Sequence, residues 1–298
     1  MTTQVLNVYA QGLSRAYTAA YWFRSRDNFN SVANGGVLLA ALAVMDEPDG
    51  QPFGDTRRFA RDALQVALLA LPHGASSIYP DGSYPEGPGY GDFAVTHHLA
   101  ALRGVETALG VTPPQLAPSG LAAVPRYYTD IGCTGHTPSG QSFNWADGGN
   151  GQLSWLPMSL SRRTTAHPGL AYAARQVAVT AVAGGGCQNT TDKAQYEPSC
   201  TMLLLDFDPR GAAADLAALP PSALYPNTDI AVLRSGWGQG VWLGIKGGSN
   251  ALQQIGKGTT HTHADQGSFV LDMRGVRWAE DLGADSYAGY GYFSMQKF

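Results

Sequence analysis

The stretch KGTTHTHADQGSFVLDMRGVRWAEDLG, from Lys257 to Gly283, concentrates residues able to hold a metal ion or move a proton. His261 and His263 are separated by one residue. Side chains of an extended chain alternate with period two, so both imidazoles point to the same side, toward one ion or one substrate. The alternative is a pair of surface or hydrogen-bonded histidines. Met273, Arg274, Gly275 and Val276 predict a two-residue hairpin connection, with Gly275 able to take the positive φ that such turns demand. Counting outward from a Met273–Val276 pair sets Ser268 opposite Asp281, which returns Asp281 to the end of the hairpin where HTHAD leads in. Two histidines and a carboxylate are a normal zinc ligand set. An amidohydrolase barrel also begins with H-x-H on a strand, but it needs further metal ligands on later strands, and no histidine follows His263.

Two other stretches carry candidate chemistry. In DGSYPEGPGY, Asp81 to Tyr90, the side chains of Tyr84, Glu86 and Tyr90 sit in a loop whose glycines and prolines fix its shape and allow close approach of a ligand. A structured turn with packed tyrosines is the other reading. In SRDNFNSVANGG, Ser25 to Gly36, three asparagines precede an apolar run; they either donate hydrogen bonds to a ligand or cap a helix.

The elements that must position these residues fall into two textures. Up to about residue 185 the pattern is helical. RRFARDALQVALLAL spaces Phe59, Ala63, Val66 and Ala67 as the stripe of a helix on a core, and GGVLLAALAV is apolar on all sides, as expected of a helix packed between neighbours. Leu99, Leu102 and Leu109 are helically spaced after Gly91, and a further helix starts just after Pro168. From about Asp229, DIAVLRSGWG, GVWLGIKGG, SFVLDM and VRWAEDLG are short, β-branched or aromatic, and bounded by glycine, which predicts antiparallel strands. The connection between the textures is read as Asp208 to Thr228. The fold class is therefore α+β, with a helical domain over 1–215 and a strand domain over 216–298.

Composition narrows the partners. With 298 residues, 44% hydrophobic and 14% charged, the chain can bury a sizeable core, and a net charge of −4 gives no sign of nucleic-acid attraction. No apolar run reaches the roughly 20 residues a membrane span needs. The first residues lack the basic start and apolar core of a secretory signal. Cys133, Cys187 and Cys200 show no C-x-x-C spacing; Cys187 and Cys200 flank a polar loop and pair only in an oxidising compartment.

Taken in order, DNFNSVANGG, DGSYPEGPGYGDFA, FNWADGG and AVLRSGWG…HTHADQGSFVLDMRGVRWAEDLGADSY resemble the heparinase II/III-like polysaccharide lyases over nearly the whole chain. The resemblance implies an incomplete (α/α) toroid followed by an antiparallel β-sandwich, and cleavage of an acidic, uronic-acid-containing polysaccharide by β-elimination. It carries the carboxylate-neutralising asparagine onto Asn28, with Asn34 as the close alternative. It carries the catalytic tyrosine onto Tyr90, with Tyr84 second, the catalytic histidine onto His261, and zinc ligands onto His263 and Asp281. Trp145 and Tyr79 become candidate platforms for sugar rings. In the zinc-bearing members a third ligand is a later histidine, and this chain stops at Phe298 before one. The expectation is a fragment with a severed zinc site, from a family that favours a secreted or periplasmic location. A non-catalytic carbohydrate-binding relative and a zinc-dependent hydrolase remain alternatives.

Overall fold

The first helix begins where the sequence supplies a cap. Asp27 accepts a hydrogen bond from the Phe29 amide at 3.1 Å and is held by the Ser25 hydroxyl at 2.6 Å, which satisfies an amide that a helix start leaves without a partner. From there α1 runs Asn28–Val44. The cap is thus an aspartate, and Asn28 is the first residue inside the helix. The computed structural model describes residues 21–47, 55–147, 156–164, 166–183, 204–238, 240–248 and 261–284. They form two compact units. One holds the described residues up to Ile78 together with Phe93–Pro118, and the other holds Tyr79–Asp92 and the described residues from Ser119 to the end. Cys187 and Cys200 lie outside the described residues.

In the first unit α1 packs with α2, Thr56–Ala75, and with the longer part of α3, Gly87–Leu109. Small residues set the spacing. A Cβ on Gly35 of α1 would sit 3.1 Å from the His97 carbonyl of α3, and one on Gly74 of α2 would sit 2.6 Å from Asn30 Oδ1. The buried stripe of α2 is Ala60, Ala63, Ala67, Ala70 and Gly74, close to the expected one, with Phe59 turned partly outward. Leu38, Leu71, Leu99, Leu102 and Leu116 fill the centre without solvent exposure.

Contrary to expectation, α1 is not buried all round. Its buried face opens with polar groups, and Leu39 remains 37% exposed. The asparagine amide nitrogens are matched inside: Asn30 Nδ2 reaches the carbonyls of Trp22, Phe23 and Ala70, each at 3.1 Å, and Asn34 Nδ2 donates to the Asn30 carbonyl at 2.8 Å.

The second unit carries helices α4, Val124–Asp130, α5, Leu156–Arg163, α6, Pro168–Ala183, and α7, Ala213–Ala217. Its sheet has strands β1, Ala223–Tyr225, β2, Ile230–Arg234, β3, Val241–Lys246, β4, Phe269–Met273, and β5, Val276–Ala279, in the order β1-β2-β3-β4-β5, all antiparallel. The expected strands are present. The segment read as a connection also contains α7 and β1, both too short for a periodic pattern to register. Among the described residues no helix is long and apolar enough to cross a membrane.

The β4–β5 hairpin turns at Arg274 and Gly275, both at positive φ, 52° and 80°, as a type I′ turn requires. Its register holds at Met273–Val276 and Asp272–Arg277, then shifts so that Leu271 faces Ala279. This bulge, which leaves Trp278 as the extra residue, moves the expected Ser268–Asp281 pairing by one. The side chains still meet, since Ser268 Oγ donates to Asp281 Oδ2 at 3.2 Å.

One face of the sheet is buried through Tyr225, Ile230, Val232, Trp242 and Val270, and the other exposes Leu224, Leu233, Phe269 and Trp278. The buried face also holds charges. Asp130, at the end of α4, takes hydrogen bonds on its carboxylate from Arg126 and Tyr225, both at 2.7 Å, and on its carbonyl from Arg234 at 2.6 Å and Trp242 at 3.1 Å. Burial pushes the Asp130 carboxyl above the usual carboxylate range and Arg234 down to about 10; this bonding offsets the desolvation cost of the pair. Asp272 of β4 is bound in the same way by Arg277 at 2.6 Å and by the Ser139 hydroxyl at 2.5 Å.

Candidate active site

His261 lies in the second unit and is nearly buried. Its Nδ1 is 2.8 Å from Oε1 of Glu86, whose side chain has no solvent exposure. The ring of Tyr90 lies flat against the imidazole, centroids 3.5 Å apart and planes 13° from parallel. Local structure explains why both residues reach one ring. Gly87 takes φ 86°, and a Cβ there would sit 2.6 Å from the Trp145 carbonyl, so the chain can turn at this point only with glycine. Helix α3 then starts at Gly87, with Pro88 in its first turn, where a missing amide proton costs nothing. Tyr90 therefore stands on the first turn of a helix and not in the loop the sequence suggested. It lies four residues after Glu86, so the two fall on one side of that turn.

The segment FNWAD positions the histidines from the other side. Gly244 of β3 leaves room for the Phe143 ring, which would be 2.7 Å from a Cβ at that position. Beyond Phe143 the chain makes four contacts in sequence. Asn144 Nδ2 donates to the Asp281 carbonyl at 3.4 Å, and the Ala146 amide to Asp265 Oδ2 at 3.2 Å. The Asp147 amide donates to the His261 carbonyl at 3.0 Å, and Asp147 Oδ1 lies 2.5 Å from His263 Nε2. The two imidazoles thus engage different carboxylates, His261 with Glu86 and His263 with Asp147.

Asp281 is fixed by the Gly283 amide at 2.9 Å in addition to Ser268. Burial raises the Asp265 carboxyl above its ordinary value, with Lys246 and His263 opposing, and burial lowers Lys246, with Asp265 and Asp229 opposing. Among the described residues no group of three or more His, Cys, Asp and Glu is arranged to hold a metal ion.

The other sequence candidates are placed as follows. Tyr84 is 1% exposed, whereas Tyr90 is half-buried; a group that exchanges protons with a bound polymer must be reachable, which favours Tyr90. Asn28 is buried in the first turn of α1 in the first unit, and Asn34 has its amide engaged within α1. Trp145 is buried, with the Lys246 ammonium 5.6 Å from its ring centroid, so it offers no open face to a sugar; Tyr79 remains half-buried.

Sequence reasoning gave Glu86 no role and missed Asp147. Glu86 was visible as the only carboxylate between Tyr84 and Tyr90. Asp147 carries no local signal, because its contact with His263 spans 116 residues.

No described protein family matches the chain, and no curated protein matches it. Solved structures do. A mutant of the heparan sulfate lyase HepC from Pedobacter heparinus is similar with a TM-score of 0.53 and 17% identity, over 88% of this chain and 33% of that one. A heparinase III gene product is similar with a TM-score of 0.52 and 17% identity, over 96% of this chain and 36% of that one. The chain spans about a third of the length of these structures, and the likeness is one of fold: helices followed by an antiparallel five-stranded sheet.

Proposed function

We propose that the chain is part of a polysaccharide lyase that cleaves a uronic-acid-containing polymer by β-elimination, within an (α/α) toroid and β-sandwich architecture. The observation that carries this reading is the stack of Tyr90 on His261, backed by a buried carboxylate. A reachable phenol and an imidazole in contact are the two proton-transfer groups an elimination needs. The fold shared with a heparan sulfate lyase and a heparinase III supports the same reading.

In the elimination, a base takes the C5 proton, its electrons form the C4–C5 double bond, and the C4–O4 bond breaks while an acid protonates the departing oxygen. The C5 proton is barely acidic beside a carboxylate, so that carboxylate must be neutralised as charge develops. Tyr90 and His261 share the proton transfers, and Asn28 is assigned the hydrogen bond to the substrate carboxylate by resemblance alone. Tyr84, being buried, is given no proton transfer.

For zinc, His263 and Asp281 are donors of the right type but only two, and among the described residues no third His, Cys, Asp or Glu is arranged with them. Asp147 engages His263 Nε2, so this histidine would ligate through Nδ1, which matches the usual arrangement of a ligating histidine held by a carboxylate; Asp281, its oxygens already oriented by Ser268 and Gly283, would be the second ligand. A zinc ion bound there would supply fixed positive charge beside the HTHAD segment.

The test is a panel of alginate, heparan sulfate, hyaluronan and chondroitin, assayed for the ultraviolet absorbance of an unsaturated uronide. Appearance of that absorbance with one polymer is the expected result. Binding without it would point to a carbohydrate-binding relative, and cleavage without it to a hydrolase.

A further inference from the structure

Glu86 is buried without exposure, in contact with His261, and no step of the proposed elimination uses it. We infer that Glu86 is a positioning residue that fixes the tautomer and ring plane of His261, so that Nδ1 carries a proton and Nε2 is the nitrogen presented for proton transfer. This rests on the lyase reading for its consequence, but not for its geometry.

Glu86 Oε1 and His261 Nδ1 are 2.8 Å apart and share one proton, and with the carboxylate as acceptor Nδ1 is the donor. In a neutral imidazole a proton on Nδ1 leaves Nε2 as the acceptor. Glu86 stands at the N-terminal end of α3, whose dipole favours an anion at that position. The ring is further held by the Tyr90 stack at 3.5 Å, which fixes its plane, while Glu86 fixes its rotation within that plane. Gly87 makes the arrangement possible, because no other residue would let the chain turn against the Trp145 carbonyl and deliver Glu86 and Tyr90 to one imidazole. A buried carboxylate with a merely structural task would not have to face a ring nitrogen of the one histidine that stacks on Tyr90.

The experiment uses the full 298-residue chain with 15N-labelled histidine. Long-range 1H–15N spectra report which ring nitrogens of His261 are protonated, its signals being assigned by their loss in His261→Gln. A protonated Nδ1 in the parent is the expected result; an unprotonated Nδ1 overturns the proposal, whatever the variants do. In Glu86→Gln, nearly isosteric but uncharged and able to donate, the Nδ1 proton is expected to be lost or shared between nitrogens. On whichever polymer the parent cleaves, kcat should fall roughly 10²- to 10⁴-fold with KM changed only a few-fold. A retained Nδ1 proton, or turnover per folded molecule within a few-fold of the parent, would show Glu86 to be structural only. If the 298-residue chain cleaves none of the polymers, the spectra alone decide the role of Glu86, and the lyase reading is tested by the same panel on a longer chain that includes this one.

Discussion

The two units are held together by opposite means. The helical unit closes on small residues: Gly35, Gly74 and the alanine stripe of α2 bring backbones together, and the buried amide nitrogens of Asn30 and Asn34 donate to carbonyls. The sheet unit closes on charge: Asp130 with Arg126 and Arg234, and Asp272 with Arg277; two of its histidines each lie within hydrogen-bond distance of a carboxylate. The first tolerates no added atoms at its contacts, and the second tolerates no missing partner. That difference explains why the candidate chemistry clusters in the second unit, where fixed dipoles and charges are already organised at low solvent exposure.

The largest expected break is in the sheet unit. Asp272→Ala leaves the Arg277 guanidinium, 5% exposed at its side chain, without its carboxylate, and should cost about 3 to 5 kcal/mol in denaturant unfolding. Replacing both residues, Asp272→Leu with Arg277→Met, should recover much of that loss, because the penalty is that of an orphaned charge. A single variant within about 0.5 kcal/mol of the parent would contradict the view of this unit as charge-held.

The matching break in the helical unit adds atoms. Gly35→Val drives a branched side chain against the His97 carbonyl and should cost about 1 to 3 kcal/mol. Gly36, one residue on, faces open space. There Gly36→Ala should stabilise by about 0.5 to 1 kcal/mol through helix propensity. Equal effects at the two glycines would show that close approach is not what selects Gly35.

These contrasts were only partly legible beforehand. The hairpin could be read because Arg274-Gly275 specifies its turn chemically. The bulge at Trp278 could not, since a register shift leaves no mark in an alternating pattern. Helix α3 was legible from its leucines, but its start was not: the glycines and prolines around Gly87 read as loop, although one glycine makes the turn and Pro88 suits a first helical turn. His261 and His263 stood out by type and spacing, and Tyr90 by resemblance. Their carboxylates, Glu86 and Asp147, are supplied by contacts 175 and 116 residues away, and such pairings appear only once the chain is folded. Trp145 was misjudged as a sugar platform because an aromatic in a glycine-rich stretch looks exposed until Lys246 and the sheet are seen to cover it.

A smaller effect, present in both units, appears with pH. His98 in the helical unit is buried with Nε2 2.8 Å from the Leu116 carbonyl, and burial holds its pKa below the ordinary value. As pH falls below about 6.5 the unfolded chain takes up a proton that the folded ring refuses, so the unfolded state binds more protons and stability declines until the depressed folded pKa is reached. The loss is at most about 1.4 kcal/mol per pH unit for this one group. His136 in the sheet unit is lowered as well, by burial and by the nearby Arg234, so the parent should show both contributions. Thermal melts between pH 7.5 and 5 should give a shallower decline for His98→Gln; an unchanged slope would mean that His98 does not carry it.

The account centres on Tyr90 as a proton-transfer group and not a packing one. The most direct measurement is the rate of unsaturated-uronide formation by Tyr90→Phe, alongside binding of the same polymer. The ring, and with it the stack on His261, is kept while the hydroxyl is removed. Turnover should fall roughly 10²- to 10⁴-fold with affinity nearly unchanged. Turnover retained within a few-fold of the parent would contradict the account and remove Tyr90 from the chemistry.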